Sequence, residues 1–321
     1  MDSHLLVTPL YHAAPNTRAL QMLHLGHRVV LMDKWAPEAM LSAIAQHQIG
    51  SVQMVPIMFH RLLQLPPEVR RGYRLSSLHT AIHAAAPCPV PTKQRMIDWW
   101  RPILHEYCAA TEGGGTVVDA VQWQQRPGTV GRPYSFASVR ILDEQGQPLP
   151  AGEVGSIYMK DSFDFEYLDD PVKTAAARRD GYFTAGDQGH LDADGYLFIS
   201  DRRTDLILSG GVNIYPAEVE AVLMQHPTVA DAVVFGLPDE EWGQRVQAVV
   251  QPVAPMVGDA PLDEAALRAT LLAWCKGQLA GFKLPRDIAF AELPRNDAGK
   301  MARATVRAAF VAGSLGPWHA R

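Results

Sequence analysis

Two charged residues between positions 181 and 220 have the types and spacing to bind a ligand that carries hydroxyl groups and anionic oxygens. Asp187 closes the small-residue turn TAGD, and its ionised carboxylate, which only accepts hydrogen bonds, suits two neighbouring O–H donors. Arg202, in DRRTD, offers such oxygens a fixed fork of donors. The alternative for either residue alone is a surface ion pair.

A second group of candidates lies in EYCAATEGGG, residues 106–115. The pattern predicts a strand that ends in a turn of small residues, where backbone can approach a flat ligand. Thr111 supplies a hydroxyl, and Glu112 supplies the carboxylate oxygen that a hard cation such as Mg²⁺ prefers. The alternative is a glycine turn with a capping Thr-Glu pair. HAAAPCPVP (83–91) is likewise either a ligand-lining loop or a plain strand-to-helix connection.

Other candidates are scattered along the chain. Lys300, in LPRNDAGKMAR, carries a compact charge on a long flexible stem, and the alternative is an exposed loop lysine. His12, in PLYH, follows a predicted strand, where a histidine is more often a hydrogen-bonded structural residue. Gly210 and Gly211 line a ligand or form a plain hairpin turn.

The elements that must position these residues divide the chain into parts. Strands alternate with helices in residues 1–125, which predicts a mostly parallel, doubly wound sheet. The predicted strands are LLVTPL (5–10), RVVLM (28–32) and SVQMVPI (51–57), and the predicted helices span 36–48 and 89–100.

Residues 126–203 have short strands broken by recurrent Gly and Pro turns, which favours a β-barrel or meander. Residues 204–321 predict a small α+β domain. Its helices are predicted at 216–227 and 263–279 and its strands at 230–238 and 246–253.

Composition excludes several classes of protein. The net charge of -5 gives no basic footprint for nucleic acid. The three cysteines lack CxxC spacing and predict free thiols in a reducing cytoplasm. No apolar run approaches about 18 residues, and the N-terminus lacks the pattern of a signal peptide, so neither a transmembrane segment nor secretion is expected.

In this order and spacing, the motifs resemble those of the acyl-adenylate-forming (AMP-binding) enzymes, the acyl-CoA synthetase superfamily. EYCAATEG, TAGD, DRRTD and the P-R-x-x-x-G-K frame carry the resemblance, and bacterial fatty-acyl-CoA synthetases are the most similar branch. It covers essentially all 321 residues, which correspond to the back two-thirds of a family member. The implied fold is α/β: a partial large domain (1–203) with a doubly wound sheet and a β-barrel-like part, and a mobile α+β domain (204–321).

The resemblance implies roles for the candidates at the nucleotide. Asp187 accepts hydrogen bonds from both ribose hydroxyls, and Arg202 reaches the ribose and the α-phosphate. Thr111 offers its hydroxyl to a phosphate oxygen, and Glu112 holds Mg²⁺. The adenine ring lies against a last set of residues: Ala85, Ala86, Pro87, Tyr107 and Cys108. Cys108 stands where most relatives have an aromatic residue, so either adenine is held more weakly or Tyr107 compensates.

The resemblance also implies roles in activation of the acid and in transfer of the acyl group to CoA. Lys300 is the adenylation lysine, and His12 seats the carboxylic acid. Thr204 is the hinge between domains, where relatives commonly have Asp or Lys. Gly210 and Gly211 line the pantetheine tunnel after domain rotation.

The implied activity is an ATP-dependent acid–CoA ligase that uses ATP, Mg²⁺ and CoA. The carboxylate attacks the α-phosphate to give acyl-AMP, and the small domain then rotates to admit the CoA thiol. Met54, Met58 and Ala84 would give the acyl pocket small or flexible walls, which favour a fatty acid. The sequence is compatible with a homodimer.

The family's phosphate loop, a Ser/Thr/Gly-rich segment that ends in Pro-Lys-Gly, has no match in these 321 residues. A truncation, a misread gene start and a naturally shortened relative remain open. We therefore expect weak or no adenylation by this chain. The alternatives are a catalytically inactive nucleotide- or acyl-binding remnant and an adenylation domain that loads a carrier protein in trans.

Overall fold

The computed structural model describes residues 2–161, 164–202, 205–253, 263–296 and 299–316, with the backbone alone described for Asp201 and Arg202. These residues form two units. The first runs to Ile199 and includes Gly299, and the second begins at Ser200. The predicted boundary between residues 203 and 204 lies outside the described residues and stays a prediction.

A seven-stranded sheet occupies the first part of the first unit, in the strand order β2-β1-β3-β4-β5-β6-β7. Strands β1 to β5 pair in parallel, and β6 and β7 are added antiparallel. The strands are β1 (Ser3–Leu6), β2 (Arg28–Leu31), β3 (Ser51–Met54), β4 (Thr80–His83), β5 (Leu104–Ala110), β6 (Gly113–Asp119) and β7 (Arg132–Pro133). The helices between them are α1 (Ala13–His24), α2 (Pro37–His47), α3 (Pro56–Gln64), α4 (Pro67–Arg71), α5 (Val90–Trp100) and α6 (Ala120–Gln125). This alternation confirms the predicted α/β class.

The register of the parallel strands is fixed by a row of apolar side chains. Leu5, Val52, Ala81 and Leu104 are partners across four neighbouring strands, and all four are fully buried. A slip of one residue would move each of them to the other face of the sheet, so burial specifies this pairing strongly.

An antiparallel sheet follows, in the order β10-β11-β9-β12-β13 with β8 paired to β9, and its last strand continues past Ile199. Its buried core includes Ile141, Ile157, Met159 and Phe183. The strands are β8 (Ser138–Leu142), β9 (Gly155–Lys160), β10 (Arg178–Arg179), β11 (Tyr182–Phe183), β12 (Asp187–Leu191) and β13 (Leu197–Arg202), with α7 (Pro171–Ala177) before β10. The β-rich character predicted for this region is confirmed.

The second unit is a small α+β structure. A hairpin of β14 (Ile207–Ser209) and β15 (Val212–Ile214) precedes a three-stranded sheet of β16 (Val229–Asp239), β17 (Gly243–Pro252) and β18 (Asp287–Phe290). The helices are α8 (Pro216–Leu223), α9 (Glu264–Lys276) and α10 (Arg303–Val311), and a single 3₁₀ turn spans Gly281–Lys283. The longest helix in the described ranges, α9, has 13 residues, and none of the helices described has the length and apolar character needed to cross a membrane.

Two predicted strands end earlier than their apolar runs. The strand predicted at 51–57 stops at Met54, and a helix begins at Pro56, where the missing N–H of proline costs no helical hydrogen bond. The strand predicted at 5–10 stops at Leu6. Helix α1, which the sequence analysis did not predict, has a narrow buried stripe of Pro15, Ala19 and Met22.

Candidate functional site

Three predicted site segments follow the carboxyl ends of parallel strands. His12 comes after β1, Ala85 to Pro87 after β4, and Thr111 and Glu112 after β5. Because β1, β3, β4 and β5 are parallel neighbours, their carboxyl ends lie at one edge of the sheet. Ligands of open α/β sheets bind at this edge. The topology therefore brings the three segments to one side of the sheet.

A cleft connects the end of β5 with the TAGD turn. Cys108 and Asp187, two predicted nucleotide-binding residues far apart in the chain, both line it. The remaining lining residues are Ala109, Ala110, Ile157, Met159, Phe183 and Ala185. Its cavity volume is about 20 Å³, which is room for about one water molecule, so a larger ligand would lie across its mouth.

The TAGD turn presents Asp187 through local backbone geometry. The N–H of Gly186 donates to Oγ1 of Thr184 at 3.1 Å. Gly186 has φ +87°, a left-handed conformation that glycine adopts without a steric penalty. Asp187 then begins β12, whose pairing with β9 fixes its backbone and leaves it half-buried at the cleft.

Tyr107 and Cys108 lie on opposite faces of β5, because successive side chains of a strand alternate. The Tyr107 hydroxyl accepts a hydrogen bond of 2.9 Å from Nε2 of Gln53, whereas Cys108 lines the cleft. Burial, with further contributions from Asp187 and Glu106, raises the pKa of the Cys108 thiol to about 12. Cys108 is therefore a protonated wall of the cleft and not a thiolate nucleophile.

The loop after β4 carries backbone strain. Ala85 has φ +76°, a left-handed conformation that costs a residue with a Cβ about 1–3 kcal/mol. Ala85 and Pro87 are exposed, and Ala86 is half-buried. A strained, accessible backbone at the ligand-binding edge of the sheet is typical of a binding loop.

Glu112 is held by Tyr167, a residue that the sequence analysis missed. The Tyr167 hydroxyl donates a hydrogen bond of 2.8 Å to Oε1 of Glu112. Burial and this hydrogen bond raise the pKa of Tyr167, so the phenol remains a donor at neutral pH. No short motif links two residues that are 55 positions apart, and only the fold identifies this pair.

The surroundings of Glu112 fit Mg²⁺ better than a metal held by protein alone. The described residues contain no cluster of three or more His, Cys, Asp or Glu side chains arranged to hold a metal ion. Mg²⁺ commonly takes one or two carboxylates and fills its remaining positions with water and phosphate oxygens. One half-buried carboxylate, next to the exposed Thr111, suits that mode.

The three glycines after Glu112 lie in β6 and not in a turn. Gly113, Gly114 and Gly115 have φ values of +120°, +69° and +148°. A Cβ on Gly115 would lie 2.6 Å from the Tyr134 ring. The strand therefore needs glycine for its conformation and for close packing.

His12 stands at the N-cap of α1 without capping it through its side chain. Its ring centroid lies 4.6 Å from that of Tyr11. Within the described part of the chain, the buried Nε2 atom of His12 has no hydrogen-bond partner. A buried polar atom in this state calls for a water molecule or a ligand group, which suits a residue that seats an acid.

A buried ion pair joins α5 to β5 beside the end of β4. Nζ of Lys93 is 2.5 Å from Oε2 of Glu106, and Nε2 of His83 is 3.6 Å from the same oxygen. All three residues are buried. No sequence motif marks these three residues as a cluster, although a lysine on the apolar face of the helix predicted at 89–100 was a usable signal.

Lys300 belongs to the second unit and extends from an anchored loop. Its N–H donates to Oδ1 of Asn296 at 2.9 Å, and the N–H of Asn296 donates to the Lys300 carbonyl at 3.1 Å. At the base of the loop, the guanidinium of Arg295 makes bonds of 2.6 and 2.8 Å to the buried carboxylate of Asp231. The Lys300 side chain itself is exposed.

Gly210 and Gly211 form the two-residue turn between β14 and β15. Their φ values of +57° and +79° match the left-handed pair that a tight hairpin requires. The N–H of Gly210 donates to the carbonyl of Trp242 at 2.8 Å. The hairpin alternative is therefore present in the structure, and a role in a tunnel stays a prediction.

Two predicted residues lie outside what the structure describes. The backbone of Arg202 ends β13, but its side chain is outside the description, and so is the whole of Thr204. The next residue, Asp205, is paired with Arg303, which also contacts Glu220 at 3.0 Å. The chain is thus tied to α8 and α10 directly after the predicted hinge.

Comparison with protein families gives two matches. The family model described as AMP-binding enzyme matches residues 1–163. The model described as AMP-binding enzyme C-terminal domain matches residues 218–300.

Individual relatives agree with these matches. Feruloyl-CoA synthase of an Amycolatopsis species is 36% identical over 95% of this chain, and medium/long-chain-fatty-acid–CoA ligase FadD8 of Mycobacterium tuberculosis is 33% identical over 97%. The chain covers 61% and 54% of their lengths. The solved structure of o-succinylbenzoate CoA synthetase from Bacillus subtilis, in complex with its acyl-adenylate intermediate, has a TM-score of 0.78 at 28% identity and is matched over 95% of this chain and 60% of its own.

Proposed function

The chain belongs to the AMP-binding, adenylate-forming enzyme family, and from this premise we propose that it is part of an ATP-dependent acid–CoA ligase. Such a ligase activates a carboxylic acid as its acyl-AMP and passes the acyl group to the thiol of CoA. Because the chain spans about 60% of the length of the relatives that it matches, we propose this activity for the protein to which these residues belong.

The cleft that joins Cys108 to Asp187 supports the proposal most directly. The Asp187 carboxylate would accept hydrogen bonds from the two ribose hydroxyls. Arg202 would donate to the ribose and the α-phosphate oxygens. The adenine ring would lie over the cleft mouth, between the end of β5 and the loop of Ala85, Ala86 and Pro87. Cys108 would support it from the cleft wall, whereas Tyr107, on the opposite face of β5, would act through its hydrogen bond with Gln53.

In the first half-reaction, a carboxylate oxygen of the acid forms a bond to the α-phosphorus, and the bond from that phosphorus to the bridging oxygen breaks to release pyrophosphate. His12 would seat the acid through its buried nitrogen. Thr111 would donate to a phosphate oxygen, and Lys300 would stabilise the negative charge that moves onto the phosphates. Mg²⁺ at Glu112 would offset phosphate charge when bound.

In the second half-reaction, the CoA sulfur attacks the acyl carbon, the thiol proton leaves to solvent, and AMP departs. We propose that the second unit turns about Thr204 between the two steps, which withdraws Lys300. The hairpin of Gly210 and Gly211 would then line the path of the pantetheine arm.

For the acid, we propose an aliphatic chain. Met54 at the end of β3, Met58 in α3 and Ala84 after β4 are all buried near the carboxyl edge of the sheet. Methionine and alanine give a pocket adaptable apolar walls without a charged partner for the distal end of the acid. A panel of fatty, aromatic and dicarboxylic acids, scored by mass spectrometry of the acyl-CoA product, tests this substrate class.

The nucleotide site is tested by calorimetric titration of this chain with AMP. Asp187→Asn should weaken AMP binding about tenfold or more, because the amide presents N–H groups to one of the ribose hydroxyls. Asp180→Asn is the matched control, since it makes the same change at an exposed residue with φ +49°, a conformation that asparagine tolerates. Equal AMP affinity in Asp187→Asn and wild type would contradict the site.

An inactive nucleotide-binding remnant is the second candidate. The two candidates differ in pyrophosphate exchange by a longer form that includes the loop. A ligase should exchange, and Lys300→Ala should abolish that exchange while it spares thioester formation from supplied acyl-AMP. Exchange that is unaffected by Lys300→Ala would remove the lysine from the mechanism.

A further inference from the structure

We propose that Lys93 is a positioning residue for the nucleotide site, and that its buried ion pair with Glu106 fixes β5 beside the end of β4, so that Tyr107 and Cys108 keep their position relative to the loop after β4. The inference rests on the proposed function, because it assigns a task to a buried pair next to Tyr107 and Cys108 of the proposed nucleotide site.

Lys93 lies on the wrong face of its helix for a lysine. The buried residues of α5 are Thr92, Lys93, Met96, Ile97 and Trp100, which form one stripe at helical spacing. Lysine on an apolar stripe normally extends its ammonium group to solvent. Here Lys93 is 0% exposed, so the charge itself is enclosed.

The ammonium group has two close neighbours. Nζ lies 2.5 Å from Oε2 of Glu106 and 4.8 Å from the ring centroid of Trp123, which is buried in α6. The aromatic face gives the cation a favourable apolar contact. Lys93 therefore joins α5 to β5 and to α6 at one point.

His83 borders the pair without adding a charge. Its Nε2 is 3.6 Å from the Glu106 carboxylate, and its ring packs edge-on against Phe59, with centroids 5.1 Å apart. Burial, together with the charge of Lys93, lowers the pKa of His83 well below its usual value, so the imidazole is neutral at pH 7. Burial raises the pKa of Glu106 and the adjacent Lys93 ammonium opposes that shift, so His83 adds no third charge to the pair.

Stability alone does not account for this arrangement. Enclosing two charges costs desolvation energy, and well-packed apolar residues of similar volume are often as stable or more stable. The pair adds a directional contact between α5 and β5, since a charge-assisted hydrogen bond fixes the relative position of two atoms. Apolar contact is non-directional and permits small shifts between the same elements.

The pair lies where a fixed position of β5 relative to β4 matters for the proposed site. His83 and Glu106 are register partners and the last such pair between β4 and β5. The residues that follow His83 form the strained loop at Ala85, and those that follow Glu106 are Tyr107 and Cys108. A shift between α5 and β5 would therefore displace Tyr107 and Cys108 relative to the loop at Ala85.

The experiment is calorimetric titration of the full chain with AMP. Lys93→Met/Glu106→Leu replaces the pair by apolar residues and should keep a melting temperature close to that of wild type. We expect it to bind AMP about tenfold more weakly, a loss that a purely structural pair would not cause once the fold is restored. Ile97→Val is the matched control on the same buried stripe, and it should lower the melting temperature with AMP affinity unchanged.

If the double variant does not fold, Glu106→Gln serves in its place, measured below its own melting temperature. It should bind AMP at least about threefold more weakly than Ile97→Val does. Wild-type affinity in a folded double variant, or in Glu106→Gln, would overturn the positioning role and leave the proposed nucleotide site intact. Failure of wild type to bind AMP, or binding unaffected by Asp187→Asn, would overturn the nucleotide site and this inference with it.

Discussion

The Tyr167 hydroxyl donates a hydrogen bond of 2.8 Å to the Glu112 carboxylate, and this contact links the turn after β5 to the segment before α7. Tyr167 is itself held in place. Its N–H donates to Oγ1 of Thr174 at 2.9 Å, and Nζ of Lys173 lies 4.1 Å from its ring centroid. The orientation of the proposed magnesium ligand is thus set by the first turn of α7.

Tyr167→Phe removes that hydrogen bond. Because both side chains are half-buried and screened by solvent, we expect the free energy of unfolding to fall by no more than about 1 kcal/mol. A less oriented Glu112 should weaken binding of the Mg²⁺–ATP complex about threefold, as measured by calorimetry. Tyr158→Phe, in β9, is the matched control, and equal losses in the two variants would contradict the role of Tyr167.

The buried histidine of β1 predicts sensitivity to acid. Burial, followed by the charges of Arg18 and His27, lowers the pKa of His4 to about 4. The unfolded chain, with a histidine pKa of about 6.5, therefore takes up this proton first as the pH falls. The stability that comes from keeping His4 neutral is fully present above about pH 6.5 and is lost between about pH 6.5 and about pH 4. This loss lowers the free energy of unfolding by up to about 3 kcal/mol.

Urea denaturation at several pH values tests this linkage. In His4→Gln, the free energy of unfolding should fall less steeply below about pH 6.5 than in wild type. Part of the fall should remain, because protonation of the buried His83 also lowers stability. His24→Gln makes the same change at an exposed histidine and is the matched control. An identical profile for His4→Gln and wild type would contradict the assignment.

Ala85→Gly should stabilise the first unit. Glycine relieves the strain of φ +76° at this position, and we expect a gain of about 1 kcal/mol in the free energy of unfolding. Ala86→Gly makes the same change at a neighbour outside the left-handed region and should cost roughly 0.5–1 kcal/mol. Thermal melts of the two variants should move in opposite directions, and a shared decrease would argue against strain at Ala85.

Gly210→Ala and Gly211→Ala together separate two costs to the free energy of unfolding: the strain of a positive φ and a clash with the Trp242 ring. Both glycines have positive φ, so alanine should cost about 1 kcal/mol at either position. A Cβ on Gly210 would also lie 2.7 Å from the Trp242 ring, whereas one on Gly211 meets nothing within 4 Å. Chemical denaturation should therefore show a larger loss for Gly210→Ala, by about 1–3 kcal/mol, with altered Trp242 fluorescence. Equal losses would mean that the indole moves aside freely.

Local pattern predicted much of the fold. The helix expected at 89–100 is observed at Val90–Trp100, and the one expected at 36–48 at Pro37–His47, because proline at the start and regular apolar spacing act within a single element. The run SVQMVPI was wrong as one strand, because an apolar run does not show where a buried strand ends and a buried helix begins.

Sequence motifs supply the candidate residues of the site, which stay predictions, but they do not supply the contacts that those residues make. Asp187, Glu112 and Cys108 follow from motifs. Their neighbours do not, since the contacts of Glu112 with Tyr167 and of Lys93 with Glu106 join different elements through tertiary folding. Such pairs become visible only once the chain is folded.

The enclosed pair of Lys93 and Glu106 also constrains how this sequence can evolve. Loss of one partner leaves a buried, unpaired charge at a cost of about 3–5 kcal/mol, a large share of the roughly 5–15 kcal/mol that holds a typical domain folded. Single substitutions at either position are therefore strongly disfavoured. Replacement of the ion pair requires both codons to change almost together. Among relatives, the two positions should covary: lysine with glutamate, or apolar with apolar.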